Sequence, residues 1–327
     1  MIGERAARAI ESSNTDELIR VVDGHCDSRD WDALLELRAR CDEAVTRGKQ
    51  LWGVSEYIRY RLALDSPGEW AGPAVTEGQT RFTLGPLPEV AASTKTWEEI
   101  APHLVAGPER ALVAHERVMR GEVLDGAAID PLIVELPLHL ESWEPAYQTV
   151  TYKSDKIEAA TPPLPTAAAM AIPPLDESSE PVDDADASRA LLALVEHWVE
   201  NSNGRSQAVC VEGPATGAVA ALGVARAGLV EVPADLALAH MAWAAASGGA
   251  HARRRGAAAG RSSAWWAASE VAGLEWPPEP QELGRVVAEL NWFLWSDGAP
   301  NTGWALRLAV ESPKEGLAWA LTATDAE

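Results

Sequence analysis

His25, Cys26 and Cys41 are the residues of this chain most like the beginning of a metal site. Zinc asks for four ligands at recognisable spacing, and no CxxC or HxxxH pair completes this set. Three cysteines, Cys26, Cys41 and Cys210, at wide and odd spacing read instead as buried thiols of a reducing compartment. His115-Glu116 starts like a zinc-protease helix, yet the position four residues after the histidine is Met119. One imidazole and one carboxylate do not hold a metal while activating water, so no metal ligands are assigned. The sequence has no GxSxG, no SxxK and no cysteine with histidine and asparagine partners at a family spacing, and the catalytic residues are left unassigned.

Anion chemistry has two candidate stretches. Gln207 to Glu212 reads as a buried strand running into Gly213-Pro214-Ala215-Thr216-Gly217 and an Ala-rich helix. Strand, glycine turn and helix present free amides to a phosphate, but the lysine of a phosphate loop and the three spaced glycines of a dinucleotide turn are both missing. The favoured reading is that Gly213 and Gly217 allow a tight turn and close helix packing, with nucleotide binding as the alternative. The second stretch follows Leu236 to Ser247, which looks helical: Gly248-Gly249, then His251 to Arg261 with Arg253-Arg254-Arg255, and then Trp265-Trp266. Each helical glycine costs about 1 kcal/mol relative to alanine, so either close packing compensates or the helix breaks at Gly248-Gly249.

Arg253, Gly256 and Ala258 resemble, position by position, the Arg-x-x-Gly-x-Ala loop of acyl-CoA-dependent N-acetyltransferases. In that family the loop amides hold the cofactor pyrophosphate at the start of a helix, so the resemblance implies acyl-CoA bound at these residues. It spans six residues, and the family's preceding strand is replaced here by a helical pattern. The competing reading is a solvated basic turn paired with nearby acids, each exposed pair contributing under about 1 kcal/mol.

Near the C-terminus, Leu290, Trp292 and Leu294, then Trp304, Leu306, Leu308 and Val310, then Leu317, Trp319 and Leu321, alternate with smaller residues. This predicts three antiparallel strands in a meander, with turns at Asp297 to Asn301 and Ser312 to Gly316. One face is bulky. The other is built from alanines with Phe293, Trp295 and Arg307 on it, and suits an Ala-rich helix; alternatively it floors a ligand groove lined by Trp295, Asp297, Asn301 and Arg307.

These residues need a scaffold. Apolar residues recur at three and four positions from Gly3 to Asp65, predicting successive amphipathic helices: one capped by Asn14 or Thr15, one begun by Ser28 and one over Lys49 to Leu64. Thr96-Trp97-Glu98-Glu99 is a capping box, and another helix follows Pro108. Gly78 to Glu89 reads as a loop, Ile129 to Leu140 and Thr149 to Lys153 as short extended pieces, and Ser188 as the cap of a further helix. Between Thr161 and Ser188 stand six prolines and six acids with no Lys or Arg, the composition of an acidic Pro-rich linker. The fold class expected is α+β: a helical scaffold domain over 1–148, a linker over 149–188, and a C-terminal domain over 189–327 of Ala-rich helices with the three-stranded antiparallel meander.

A net charge of −22 leaves neither half basic, which disfavours nucleic acid and anionic membranes as partners. Glu4, Arg5 and Arg8 fall where a signal peptide's apolar run would begin, so a cytoplasmic protein is expected. The chain is Trp-rich, with 14 Trp against 2 Phe, and a GC-rich coding bias accounts for this together with the abundant Ala, Arg, Gly and Pro. The chain as a whole resembles an uncharacterised bacterial protein family of unknown function, most clearly over Met241 to Trp266 and Trp292 to Asp325. The function is unknown. The favoured reading is a cytoplasmic accessory or protein-interaction protein with another protein as partner and no cofactor. The alternative is a small-molecule enzyme, an acyl-CoA-dependent N-acyltransferase using the Arg253 to Arg261 segment.

Overall fold

Side-chain caps divide the first part of the chain into helices. The computed structural model describes residues 3–76, 83–165, 172–175, 179–299 and 303–326. The chain forms two units, Met1–Ile133 with Val150–Glu158, and Val134–Thr149 with Ala159–Glu327. In the first, α1 (Glu4–Glu11), α2 (Thr15–Ser28), α3 (Trp31–Thr46), α4 (Trp52–Asp65), α5 (Gly68–Thr76), α6 (Leu87–Ala92), α7 (Trp97–Ile100) and α8 (Pro108–Val118) follow in order, with a 3-10 turn at Ala101–His103. Asn14 caps α2 by accepting from the Glu17 amide, and Thr96 caps α7 by accepting from Glu99. Asp30, not Ser28, caps α3; Ser28 ends α2, its hydroxyl bonded back to the Gly24 carbonyl. Leu87 to Glu89 is helical rather than loop, because Pro88 falls in the first turn, where its missing N–H costs nothing. A short ribbon of β1 (Val150–Tyr152) and β2 (Ile157–Ala159) follows.

Helix α4 is the pivot of this unit. One side joins Ile10, Leu18, Val22, Leu34 and Leu37 in a core with α1 to α3. Another contributes Tyr60 and Leu64 to a core with Val90, Val113 and Tyr152. A recurring device closes the helix ends: buried or half-buried cations donate to the last carbonyls, Lys95 to Ala63 and Leu64 of α4, Arg59 to Ala74 of α5, Arg117 to Ala92 of α6, and Arg110 to Ala101 and Leu104 of the 3-10 turn. Each places positive charge at the negative end of a helix while satisfying orphan acceptors.

The second unit is built on one antiparallel sheet. Its strands are β3 (Glu180–Val182), β4 (Arg205–Glu212), β5 (Gly228–Val232), β6 (Asn291–Ser296), β7 (Trp304–Ser312) and β8 (Leu317–Asp325), in the order β3-β4-β8-β7-β6-β5. The helices are α9 (Ala185–Ala193), α10 (Glu196–Glu200), α11 (Ala215–Ala221), α12 (Ala234–Ala246), α13 (Ala257–Val271) and α14 (Pro280–Glu289). The β6-β7-β8 meander is present, but as the middle of six strands rather than a separate ribbon. The register sets Trp292, Val310 and Trp319 across from one another, and beside them Leu294, Leu308 and Leu321. That bulky face lies under α9, α10 and α12, while α11 packs on the alanine face against Ala309, Ala318, Ala320 and Trp295.

The expected linker is not a free tether. Glu180–Val182 pairs with Val182↔Cys210 register on β4, and α9 begins at Ala185. Asp184, not Ser188, caps α9, and its second oxygen accepts from the Trp319 indole at 2.8 Å. Farther back, Pro174 bridges Arg226, and His240 Nε2 lies 3.2 Å from the Pro163 carbonyl. Composition misleads here because Asp184 is held by specific donors, and because proline suits an edge strand, as Pro181 does in β3. Of the two short extended pieces expected before it, Val150–Tyr152 is a strand and no strand forms over 129–140. No helix among the described residues is long and apolar enough to cross a membrane.

Candidate functional site

In the first unit, the end of α4 and the turn before α7 enclose an open cleft of about 290 Å³. Its lining mixes charge: Arg29, Asp65, Lys95 and Glu99, with Trp31, Ser66, Pro67 and Thr94. Arg29 occupies the left-handed turn that ends α2 (φ 56°), and Trp31 opens α3. Asp65 pairs with Arg61 Nε at 2.6 Å. Lys95 is 3 % exposed, and burial pushes its amine down to about 8, against the opposing pull of Glu99 and Asp65. A lysine so lowered in a cleft is the usual sign of a reactive amine. Here, however, all three ammonium protons have acceptors: Ala63 O at 2.8 Å, Leu64 O at 3.0 Å and Thr94 Oγ1 at 2.9 Å. Lys95 is a clamp on α4, and Arg29 and Glu99 are exposed charged residues of the same lining. Sequence pattern gave no hint of Lys95, since its acceptors are backbone carbonyls about thirty positions away.

The clamp makes a pH prediction. A base whose pKa falls on folding binds its proton more tightly in the unfolded chain, so its contribution to stability rises with pH between about 8 and 10.5. Across that window the gain of wild type relative to Lys95→Met approaches about 3 kcal/mol, from about 1.4 kcal/mol per pH unit. Cys26 and Cys41, pushed up to about 12 by burial, act in the opposite direction above pH 9, but equally in both proteins. Denaturant titrations of both proteins at pH 7, 8 and 9 check this, and a constant difference would show that the amine is not desolvated.

In the second unit the structure gathers some of the expected residues. Gly256, at φ 103°, is the residue before α13, so Arg253, Gly256 and Ala258 do stand at a helix start; α12, a helix, precedes the loop. Arg253 is exposed, and Gly256 and Ala258 are buried. Arg261 belongs elsewhere: it is wholly buried and forked onto Glu144, Nε to Oε2 at 2.8 Å and Nη2 to Oε1 at 2.6 Å. Trp295, Asp297 and Arg307 also meet. The guanidinium lies 5.5 Å from the Trp295 ring centre and 3.1 Å from Asp297. Trp295 is 4 % exposed and directs its indole N–H between the Leu308 and Leu321 carbonyls, under the face that α11 covers. Asn301 lies outside the described residues.

The glycine turn before α11 is filled by the chain itself. Glu311 accepts from the Ala215 amide at 2.9 Å, so a carboxylate already occupies the helix start. A Cβ on Gly217 would fall 1.9 Å from Ser179 Oγ, which makes close approach the reason for that glycine. All three cysteines are free and buried. His25 lies 3.8 Å from Asp30, and His115 and Glu116 are buried on α8. Among the described residues no group of three His, Cys, Asp or Glu is placed to hold a metal ion.

These features define an α+β protein with a helical N-terminal unit, a six-stranded antiparallel sheet in the second, and a mixed-charge cleft. Residues 16–327 match the model of a family of unknown function, DUF6183, and the chain belongs to that family. Among curated proteins and among solved structures, none matches it.

Proposed function

We propose that this protein is a cytoplasmic accessory protein that binds another protein, and that its first unit engages that partner at the Lys95 cleft. One observation carries the reading: the amine best suited to covalent chemistry is committed to framework carbonyls, while Arg29 and Glu99 are exposed in the same lining. A cation and a carboxylate side by side suit a partner surface offering the reverse pair, which sets register and specificity. Three buried free thiols support a reducing compartment. A photo-crosslinking side chain at position 67, exposed in the lining of the same cleft, is expected to give one discrete adduct in the native cell, lost on Arg29→Glu. Adducts that are absent, or unchanged by the charge reversal, would refute the assignment.

The second reading, an acyl-CoA-dependent N-acyltransferase, rests on Gly256 opening α13 behind Arg253. It requires acetyl-CoA to raise the melting temperature of wild type and not that of Arg253→Ala.

A further inference from the structure

Asp325 ends β8 almost fully buried, at 1 % exposure. Its Oδ2 accepts from the Ala250 amide at 2.6 Å, and its Oδ1 meets no donor among the described residues. A carboxylate removed from water with one oxygen unmatched is costly to fold, and holding the 247–256 loop explains only the other oxygen. Its surroundings are aromatic. Trp304 is its cross-strand partner, so both side chains rise on one face of the sheet. Trp198 touches the same spot: a Cβ on Gly249 would lie 2.1 Å from Asp325 Oδ2 and 3.2 Å from Trp198 Cδ1, which keeps that position glycine.

The three indoles form a corner. Trp243 and Trp304 stack with centres 5.1 Å apart and planes 18° apart, and Trp198 stands across them at 83° and 65°. Trp198 is fully buried and fixed by an N–H bond to Ser247 Oγ, while Trp243 and Trp304 are half-buried and reach solvent. Indole faces attract cations, and the Asp325 carboxylate on the same face of the sheet supplies the countercharge.

We infer that the Asp325–Trp198–Trp243–Trp304 corner is a binding site for an organic ammonium group, from a free amine or a lysine side chain. The ammonium donates to Oδ1, neutralises the buried charge and lays its alkyl part on the Trp243–Trp304 pair. A hydroxyl could match Oδ1 but would leave the charge in place, so a neutral isostere binds more weakly. This site is independent of the cleft in the first unit.

The test is a proton NMR titration of the full chain with n-butylammonium, and with N-acetyl-lysine methylamide as the peptide-borne form. Ring currents should move the ligand methylene signals upfield and saturably, and n-pentanol should give at least tenfold weaker binding. Asp325→Asn and Trp304→Leu should each weaken the ammonium by tenfold or more. Tighter binding of the lysine amide than of butylammonium would identify a peptide source, and the reverse a small amine. No saturable shift in wild type, equal binding of pentanol, or unchanged binding in Trp304→Leu overturns the site. Should Asp325→Asn fail to fold, the pentanol comparison and Trp304→Leu decide.

Discussion

Arg261→Met should destabilise the second unit by about 3–5 kcal/mol, the cost of leaving a buried partner charge uncompensated. Both side chains of the Arg261–Glu144 pair are fully shielded from solvent. Besides its fork onto Glu144, Arg261 donates to the Pro137 and His139 carbonyls and lies 5.4 Å from the Trp265 ring centre. Glu144 receives three more donors: the Trp265 indole at 2.8 Å, the Tyr147 hydroxyl at 2.7 Å and the Glu141 amide at 2.9 Å. Four of the five N–H donors of Arg261 and both oxygens of Glu144 are therefore engaged, and the pair fastens Val134–Thr149 onto α13. Glu144→Gln should be as damaging, because it strands the guanidinium. The double variant Arg261→Met/Glu144→Gln should lose less than the two single losses combined, since it removes both charges together. Simple additivity in denaturant unfolding would show that the two ions act separately.

The same pair fixes a pH response. Burial pushes the Glu144 carboxyl up, but the hydrogen bonds and charge of Arg261, with Trp265 and the Glu141 backbone, outweigh it and hold the group below the ordinary carboxylate range. Because the folded pKa is depressed, this contribution is fully present above the unfolded carboxylate's pKa and fades as pH falls through the folded one.

Alternation and helical spacing made much of this fold legible. The strands of the meander, α12 and the caps at Asn14 and Thr96 follow from local rules that tertiary contacts reinforce. What stayed hidden was non-local. Strand β5 is only five residues, followed at once by Pro233 and α12, and β3 hides among prolines and acids whose partners lie on β4 and β8. Arg261 looked like one more member of a basic turn, since its spacing to Arg253 to Arg255 says nothing of Glu144, more than a hundred residues away. Trp295, Asp297 and Arg307 could be grouped because strand register places them close, whereas Lys95 could not, because its acceptors are carbonyls.

Glycine substitution separates the two explanations that composition alone left open for the α12–α13 region. The chain does break at Ser247, where α12 ends, and Gly260 stays helical inside α13. A Cβ there would lie 2.3 Å from the Ala242 carbonyl oxygen and 2.8 Å from Ala246 Cβ, both on α12. Backbone cannot swing aside as a long side chain can. Gly260→Ala should therefore destabilise although alanine favours helix by about 1 kcal/mol, and Gly260→Leu, which must force the helices apart, should cost about 3 kcal/mol or more. Gly24, inside α2, is the matched control: a Cβ there meets nothing within 4 Å, so Gly24→Ala should stabilise the first unit by up to about 1 kcal/mol. Opposite signs for one chemical change, read in each unit's unfolding free energy, would trace the Gly260 effect to close helix contact. If Gly260→Ala stabilised as Gly24→Ala does, α12 and α13 would have to stand farther apart, and the tight packing of this layer over the sheet would be lost with them.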